Sequence, residues 1–236
     1  MGTGCSKYEV SRSQKQSEHN HEAKLKEVQV TEKTIVKQLP HNYEAIVKDA
    51  DSPIKSEERL FGHLYAGIFL NQKRKKYWLD KKSNNCFMVY PRDLTIAWGE
   101  DKRYWQWPSL EETSNVFIDA AELLMVCWLD VEGKFDTTKL SPGIRYEVVF
   151  VVMLKATGYG WEIPVTVTLT LPDGYKHERK VSFMEKAIGQ WIEIPVGEFR
   201  TLPGKFGDIQ FWMHQSEGGQ WKSGLLIKGV AIRPKK

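Results

Sequence analysis

The chain divides into a polar first part and a longer part in which apolar residues recur at every second position. Residues 1–40 are rich in Lys, Glu, Gln and Ser, a composition typical of a solvated, disordered tail. In the next segment Ser56 has the character of a helix N-cap, and apolar residues from Leu60 to Phe69 follow at helical spacing. We therefore predict a disordered tail over residues 1–40 and a helical extension over residues 41–76.

From Tyr77 onward the pattern predicts strands almost exclusively. β-branched and aromatic residues alternate with polar ones, and turn sequences such as Pro172-Asp173-Gly174 separate the segments. The predicted strands are Cys86–Tyr90, Leu94–Trp98, Val116–Leu129, Tyr146–Leu154, Val165–Leu171, Val181–Phe183, Trp191–Val196, Ile209–Met213 and Leu225–Ile232. Short strands with regular turns predict an all-β fold, an antiparallel β-sandwich or jelly roll, over residues 77–236.

One stretch, LTIAWGEDKRYWQWP over residues 94–108, departs from the strand pattern. It begins with alternation, but Gly99 and a charged run interrupt the strand before Tyr104, Trp105 and Trp107. Aromatic rings supply rigid contact area at low entropic cost, and here they lie beside charges of both signs. The stretch therefore predicts a platform for a flat polar ligand.

Eight of the nine tryptophans fall into two groups. Trp128, Trp191 and Trp212 lie within apolar segments, and we expect them in the core. A second group lies at strand ends or in polar loops: Trp78, Trp105, Trp107, Trp161 and Trp221. For this group two interpretations stand, because such rings either close the end of a sandwich or form the aromatic wall of a sugar-binding surface.

Composition narrows the classes of function. The chain has 236 residues, 41% of them hydrophobic, and a formal charge of +4, which suits one domain with an extension and does not require a nucleic-acid partner. Cys5, Cys86 and Cys127 lie far apart and predict neither a metal knuckle nor a disulfide framework, so a reducing compartment is expected. No apolar run is long enough for a membrane span or a signal peptide, so we do not expect secretion.

Catalytic signatures are missing from the sequence. There is no GxSxG elbow, HExxH pair or phosphate loop, and we expect neither an enzyme nor a metal or other cofactor. Individual residues leave two enzymatic alternatives open. His214 and Glu217 form a candidate acid/base pair, and Glu100, Asp101 and Glu217 are candidate carboxylates for glycoside hydrolysis.

Several strings of the chain resemble, in order and spacing, the plant phloem lectins, the phloem protein 2 family that includes the tobacco agglutinin Nictaba. They include LTIAWGEDKRYWQW, AELLMVCWLDVEGKF, GYGWEIPVTVTLTLPDG and EGGQWKSGLLIKGVAIRPK, and the resemblance covers about residues 77–235. YAGIFLNQKRKKYW in the preceding segment resembles the extension of longer members. The resemblance implies a jelly roll that binds N-acetylglucosamine oligomers and N-glycan cores without metal or catalysis, in plant cytosol, nucleus and phloem sap.

The resemblance also implies a sugar site. It would draw on Trp98, Arg103, Tyr104, Trp105 and Trp107 of the aromatic stretch, and on Glu217, Trp221 and Lys222 of a distant loop. In this hypothesis Trp105 or Trp107 stacks on a sugar ring, Glu217 accepts hydroxyl hydrogen bonds, and Lys222 donates with Arg103 and Tyr104. The hypothesis requires the two distant loops to fold side by side. Lectins that crosslink glycans need two sites, so a homodimer is a candidate assembly.

A basic cluster at Lys73–Lys76 supports a different class of function. Such a cluster, with aromatic residues available for base stacking, is the alternative basis for a phloem module that binds RNA or phloem filament proteins. It also suits anionic lipid, although runs of this kind are most often plain solvated surface.

The first residues, MGTGCS, predict lipidation. Gly2 with Ser6 fits the N-myristoylation pattern, and Cys5 is available for palmitoylation, which together would give peripheral membrane contact. We expect intact-protein mass spectrometry of the chain from plant tissue to show Met1 removed and Gly2 carrying a myristoyl group. An unmodified Gly2 or a retained Met1 would contradict this prediction.

Overall fold

The computed structural model describes residues 39–53 and 60–236. Gly2, Cys5, Ser56 and almost all of the predicted tail lie outside these residues. Pro40–Lys236 forms one compact unit. Its helices are α1 Tyr43–Val47 and α2 Leu60–Ala66. Its strands are β1 Ile68–Leu70, β2 Lys75–Leu79, β3 Asn85–Val89, β4 Thr95–Ile96, β5 Trp105–Gln106, β6 Ser109–Thr113, β7 Val116–Asp119, β8 Ala121–Leu123, β9 Leu129–Asp136, β10 Arg145–Leu154, β11 Val165–Thr170, β12 Lys176–Val181, β13 Trp191–Arg200, β14 Asp208–Gln215 and β15 Leu225–Pro234.

The strands form two main antiparallel sheets. The eight-stranded sheet has the order β1-β2-β3-β15-β10-β13, with β8 on β15 and β5 on β8. The five-stranded sheet has the order β12-β11-β14-β9-β4, and β6 and β7 form a separate hairpin. The predicted all-β fold class is confirmed.

The hydrophobic core lies between the two sheets. The ring centres of Phe87 in the larger sheet and Phe135 in the smaller sheet are 4.8 Å apart. Phe150 and Phe211 form a second contact between the two sheets, with ring centres 6.2 Å apart. Buried and less buried positions alternate along β9, as expected for a strand with one face in the core. Period-two alternation in the sequence therefore corresponds to the inner and outer faces of a sandwich.

The predicted helical extension over residues 41–76 is too long. Helix α2 ends at Ala66, and β1 and β2 form a hairpin on the edge of the larger sheet, with Ile68 opposite Tyr77. Gly67 at a φ of 94° ends the helix, because a left-handed position favours glycine. The sheet thus begins before Tyr77, at Ile68.

Two predicted strands are also corrected. The segment Val116–Leu129 is broken into β7, β8 and the start of β9, because the chain crosses there from the larger sheet to the smaller one. In Leu94–Trp98 only β4 is a strand, and Trp98 adopts a φ of 62° that ends it.

The three tryptophans expected in the core are exposed. Trp128 is 62% exposed because it lies in the crossing between the sheets. Trp212 is 37% exposed, since its neighbours Phe211 and Met213 occupy the inner face of β14. Trp191 is 38% exposed at the start of β13. An apolar neighbourhood in sequence did not distinguish the two faces of these segments.

The basic cluster Lys73–Lys76 is divided by its position in the hairpin. Lys73 and Arg74 are exposed in the turn, but Lys75 pairs with Asp93 at 2.6 Å and Lys76 pairs with Glu112. Half of the predicted positive patch is therefore neutralised by the fold. Among the described helices, none has the length and apolar character to span a bilayer.

Gly133 of β9 gives a test of the sandwich packing. A Cβ at this position would lie 2.2 Å from the Phe211 ring and 2.7 Å from a Leu94 methyl carbon. We expect Gly133→Ala to lower the free energy of unfolding by about 1–3 kcal/mol through overpacking, as measured by urea denaturation. Gly62→Ala, which meets no atom within 4 Å, is the control and should not destabilise the protein. Equal stability of both variants would contradict the packing.

Candidate functional site

The aromatic stretch after β4 is a series of tight turns. Trp98 has a φ of 62°, and its carbonyl accepts a hydrogen bond from the Asp101 N–H at 2.9 Å. The Asp101 carbonyl in turn accepts from the N–H groups of Tyr104 and Trp105 at 2.9 and 3.0 Å. These bonds fix the backbone from the end of β4 to the start of β5, so the aromatic side chains have defined positions.

Two of the indole rings close this loop from within. Trp105 is only 1% exposed, and its Nε1 donates to the Ala97 carbonyl at 3.1 Å. Trp107 is partly buried, and its Nε1 donates to the Gly99 carbonyl at 3.0 Å. The Arg92 guanidinium lies 3.7 Å from the centre of the Trp107 ring. Trp105 is therefore structural and offers no ring face to a sugar, whereas Trp107 has Arg92 over one face of its ring and is partly exposed.

Three other aromatic rings form an exposed cluster. The Trp98 and Tyr104 rings meet edge to face with their centres 6.0 Å apart, and Tyr104 lies 6.4 Å from Trp221. Trp98 is 61% exposed and Trp221 is 47% exposed. Residues separated by more than a hundred positions in sequence therefore form one aromatic surface.

The segment between β8 and β9 joins the two loops. The Leu124 N–H donates to the Tyr104 carbonyl at 2.8 Å. Val126 and Lys222 exchange two backbone hydrogen bonds, at 3.0 and 2.8 Å. The condition set by the sequence hypothesis, that the two loops lie side by side, is met.

A third loop supports the Trp221 loop from behind. The Trp161 ring is buried and donates from Nε1 to the Ser223 carbonyl at 2.9 Å, and the Ser223 N–H bonds the Tyr159 carbonyl. Gly160 has a φ of 82°, and a Cβ there would lie 2.0 Å from the Trp221 carbonyl oxygen. A glycine is needed at this position because the two backbones touch.

Lys222 is enclosed rather than exposed. Its side chain has 0% exposure, and Nζ donates to the backbone carbonyls of Cys127, Gln215 and Gln220, the last at 3.0 Å. Burial lowers the pKa of the Lys222 ammonium, because desolvation disfavours the charged form. This side chain ties three segments together and cannot donate to a bound sugar in this arrangement.

Two charged residues of these loops are exposed, Arg103 beside Tyr104 and Glu217 four positions before Trp221. The Arg103 side chain is 76% exposed and forms a two-point contact with the Asp101 carboxylate, with Nη2 and Oδ2 2.7 Å apart. Hydrogen bonds from Arg103 hold the pKa of Asp101 at about 2. Glu217 is exposed and pairs with Lys180 of β12 at 3.1 Å. We call Trp98, Arg103, Tyr104, Glu217 and Trp221 the loop site.

A groove runs beside the loop site. It has a volume of about 540 Å³ and extends along the aromatic stretch. Trp98 and Asp101 line it together with Arg92 and Trp107. An open groove with aromatic and charged walls can bind a ligand that combines apolar faces with polar edges.

Comparison with known proteins identifies the family to which this sequence belongs. A sequence model described as Phloem protein 2 matches residues 84–234. The chain is 47% identical over 190 residues to the Arabidopsis thaliana protein PHLOEM PROTEIN 2-LIKE A1, covering 79% of this chain and 77% of that protein. The chain belongs to the phloem protein 2 family.

A second relative and a solved structure complete the comparison. The phloem protein 2 chain is 45% identical over 179 residues to a Luffa acutangula protein named Lectin, which covers 75% of this chain and 84% of that protein. The structure of TmCBM61 in complex with beta-1,4-galactotriose is 12% identical, with a TM-score of 0.35 over 60% of this chain and 87% of that one. The predicted family is thus confirmed by sequence.

The sequence prediction for this phloem protein 2 chain is corrected at Trp105 and Lys222, since both side chains are buried. Both side chains are amphipathic, and local sequence does not indicate whether such a side chain points into the core or into the solvent. Trp128, which was expected in the core, is exposed directly after the carbonyl that Lys222 contacts. Trp128 lies between β8 and β9, where the chain passes from the larger sheet to the smaller one and the period-two alternation is interrupted. This interruption is the sequence signal for its exposed position.

The hydrolytic alternative finds no support in the acid groups. A general acid for glycoside hydrolysis needs a raised pKa, whereas the pKa of Asp101 is lowered. Glu217 is exposed and forms an ion pair with Lys180 at 3.1 Å. These carboxylates have the character of hydrogen-bond acceptors.

Lys222→Met should show the structural role of the buried ammonium in the phloem protein 2 chain. The variant keeps the length of the side chain but leaves carbonyl groups without their donor, so we expect a loss of about 1–3 kcal/mol in the free energy of unfolding. Urea denaturation measures this loss. Lys102→Met, at an exposed position in the aromatic stretch, is the matched control and should leave stability unchanged. A Lys222→Met variant as stable as the control would refute the role.

Proposed function

We propose that the chain is a non-catalytic lectin that binds N-acetylglucosamine oligomers and N-glycan cores at the loop site. The observation that carries this proposal is the exposed cluster of Trp98, Tyr104 and Trp221, with ring centres 6.0 and 6.4 Å apart. Membership of the phloem protein 2 family and the relative named Lectin support carbohydrate as the class of ligand.

Four of the five residues of the loop site have a direct contact with the sugar in this proposal. Trp98 and Trp221 offer exposed ring faces that can contact the C–H groups of a pyranose. Glu217 accepts hydrogen bonds from sugar hydroxyl groups, and Arg103 donates to the acetamido oxygen. Trp98 and Trp221 take the ring-stacking role predicted for Trp105 or Trp107, because Trp105 is buried and Arg92 covers one face of Trp107.

The acetamido group is the reason for favouring N-acetylglucosamine. Its methyl group suits contact with an aromatic wall, and its carbonyl and N–H suit the Arg103 guanidinium and a carboxylate. Arg103 is paired with Asp101 and Glu217 with Lys180, so a neutral ligand leaves neither of these charges unpaired.

The remaining predictions from the sequence concern location, acylation, assembly and a different class of partner. A location in the phloem cytoplasm or nucleus, acylation at Gly2 and Cys5, and a homodimer stay predictions. Binding of RNA or phloem filament proteins through Lys73–Lys76 loses support, because Lys75 and Lys76 are paired with carboxylates. Fewer phosphates could then be neutralised by this segment.

Trp221→Ala tests the proposal directly. Removal of an exposed ring from the cluster should weaken binding of chitotriose at least about tenfold, equivalent to about 1.4 kcal/mol, as measured by isothermal titration calorimetry. Because Trp221 is 47% exposed, the substitution should leave the fold intact, and its thermal midpoint should be close to that of the parent chain.

Trp191→Ala serves as the matched control. Trp191 is 38% exposed but lies at the start of β13 in the larger sheet, so its removal should leave chitotriose binding unchanged. The proposal would be wrong if the parent chain showed no saturable binding at millimolar chitotriose, or if Trp221→Ala bound as well as Trp191→Ala.

A further inference from the structure

The outer face of the five-stranded sheet carries an aromatic pair that the loop site does not use. On β14, Phe211 and Met213 are buried, whereas Trp212 and His214 lie on the opposite face. Their rings stack, with centres 3.9 Å apart and planes at 22°. Because β14 is the central strand of the sheet, this pair lies in the middle of the face.

The Trp212 ring is held in a fixed orientation. Its Nε1 donates to Asp130 Oδ1 at 2.6 Å, across the pairing of β14 with β9. Asp130 lies directly opposite His214 in the register, so one carboxylate orients the pair. A ring that is already held in place loses little conformational freedom when a ligand stacks on it.

Polar side chains flank the aromatic pair on both sides. The register places a carboxylate beside each ring on one neighbouring strand and a hydroxyl group beside each ring on the other. The flanking residues are Asp130 and Glu132 on β9, and Thr166 and Thr168 on β11. Asp130 and Glu132 are partly exposed, whereas Thr166 and Thr168 are only 6% and 5% exposed. The face therefore combines an apolar centre with accessible carboxylates on one side.

The chemistry of these groups selects the class of ligand. Aromatic faces contact sugar C–H groups, and carboxylates accept hydrogen bonds from hydroxyls. Nucleic-acid bases also stack on aromatic rings, but Asp130 and Glu132, the carboxylates next to the rings, would repel a phosphate or uronate group placed on the pair. The lysines of this face are farther from the rings: Lys134 is opposite Gln210, and Lys176 and Lys180 lie on the edge strand β12. Five strands at a spacing of roughly 4.8 Å give a face about 19 Å wide, which suits the side of an extended chain.

We propose that this face, centred on Trp212 and His214, is a second carbohydrate-binding surface that takes neutral, extended polysaccharide chains. It is distinct in residues from the loop site and goes beyond the function proposed for that site. The two surfaces adjoin where Lys180 of β12 pairs with Glu217. One chain then has two glycan-binding surfaces, and it can link two glycans without a partner subunit.

Affinity electrophoresis of the full chain tests the proposal, with hydroxyethyl cellulose as the neutral polymer and polygalacturonate as the anionic one. We expect the neutral polymer to retard the parent chain and Trp212→Ala to weaken this retardation at least about tenfold. Trp221→Ala should retain it while losing chitotriose binding. Trp191→Ala, equally exposed on the other sheet, should retain both.

Two more variants keep the test independent of folding. Trp212→Phe retains a ring and should retain most of the retardation. Glu132→Ala removes a partly exposed flanking carboxylate, so it should weaken retardation several-fold with an unchanged thermal midpoint. The proposal is overturned if the neutral polymer does not retard the parent chain. It is also overturned if Trp212→Ala and Glu132→Ala run as the parent does, or if polygalacturonate is the polymer bound.

The outcomes separate the two proposals. Loss of chitotriose binding in Trp221→Ala without any effect of Trp212→Ala on the polymer supports the loop site alone. Retardation that depends on Trp212, together with no chitotriose binding by any variant, supports the sheet surface alone. If Trp221→Ala abolishes polymer retardation and Trp212→Ala does not, the polymer binds the loop site and the second surface is wrong.

Discussion

The buried ammonium of Lys222 is the interaction on which the loop site depends. A charged group removed from water is costly, and here backbone carbonyls from three segments replace its hydration. The same residue pairs through its backbone with Val126, next to the segment that bonds Tyr104. The ring cluster at the surface therefore follows from an interior arrangement, in which hydrogen bonds join the loops that carry it.

Much of the fold could be predicted from the sequence, because strands of this sandwich carry either alternating or continuous apolar and β-branched residues. Burial alternates along β9 and β14, whereas β10 and β11 are buried at nearly every position. The segments predicted at β10, β11 and β14 agree with the structure to within a few residues. Strand β12 was largely missed, since five of its six residues are exposed and no apolar alternation marks it. Pairing with β11, rather than burial, makes it a strand.

The loop site was predictable only in part, for a different reason. Both aromatic-rich loops stood out in the sequence, but an indole or a lysine can either cover a core with its apolar part or reach the solvent. Trp105 and Lys222 point inward because the loop needs internal donors for the Ala97 and Cys127 carbonyls. Such needs arise from the path of the backbone, which local sequence does not specify.

On strand β14 two consecutive aromatic residues lie on opposite faces of the sheet, Phe211 in the core and Trp212 at the surface. Inserting a single residue would exchange the two faces, burying Trp212 with its Asp130 contact and exposing the phenyl ring. Changes in length are thus confined to connections such as residues 202–206, which are exposed. The outer face of the sheet can therefore change by substitution of its residues only, whereas exposed connections at the ends of the sandwich can also change in length.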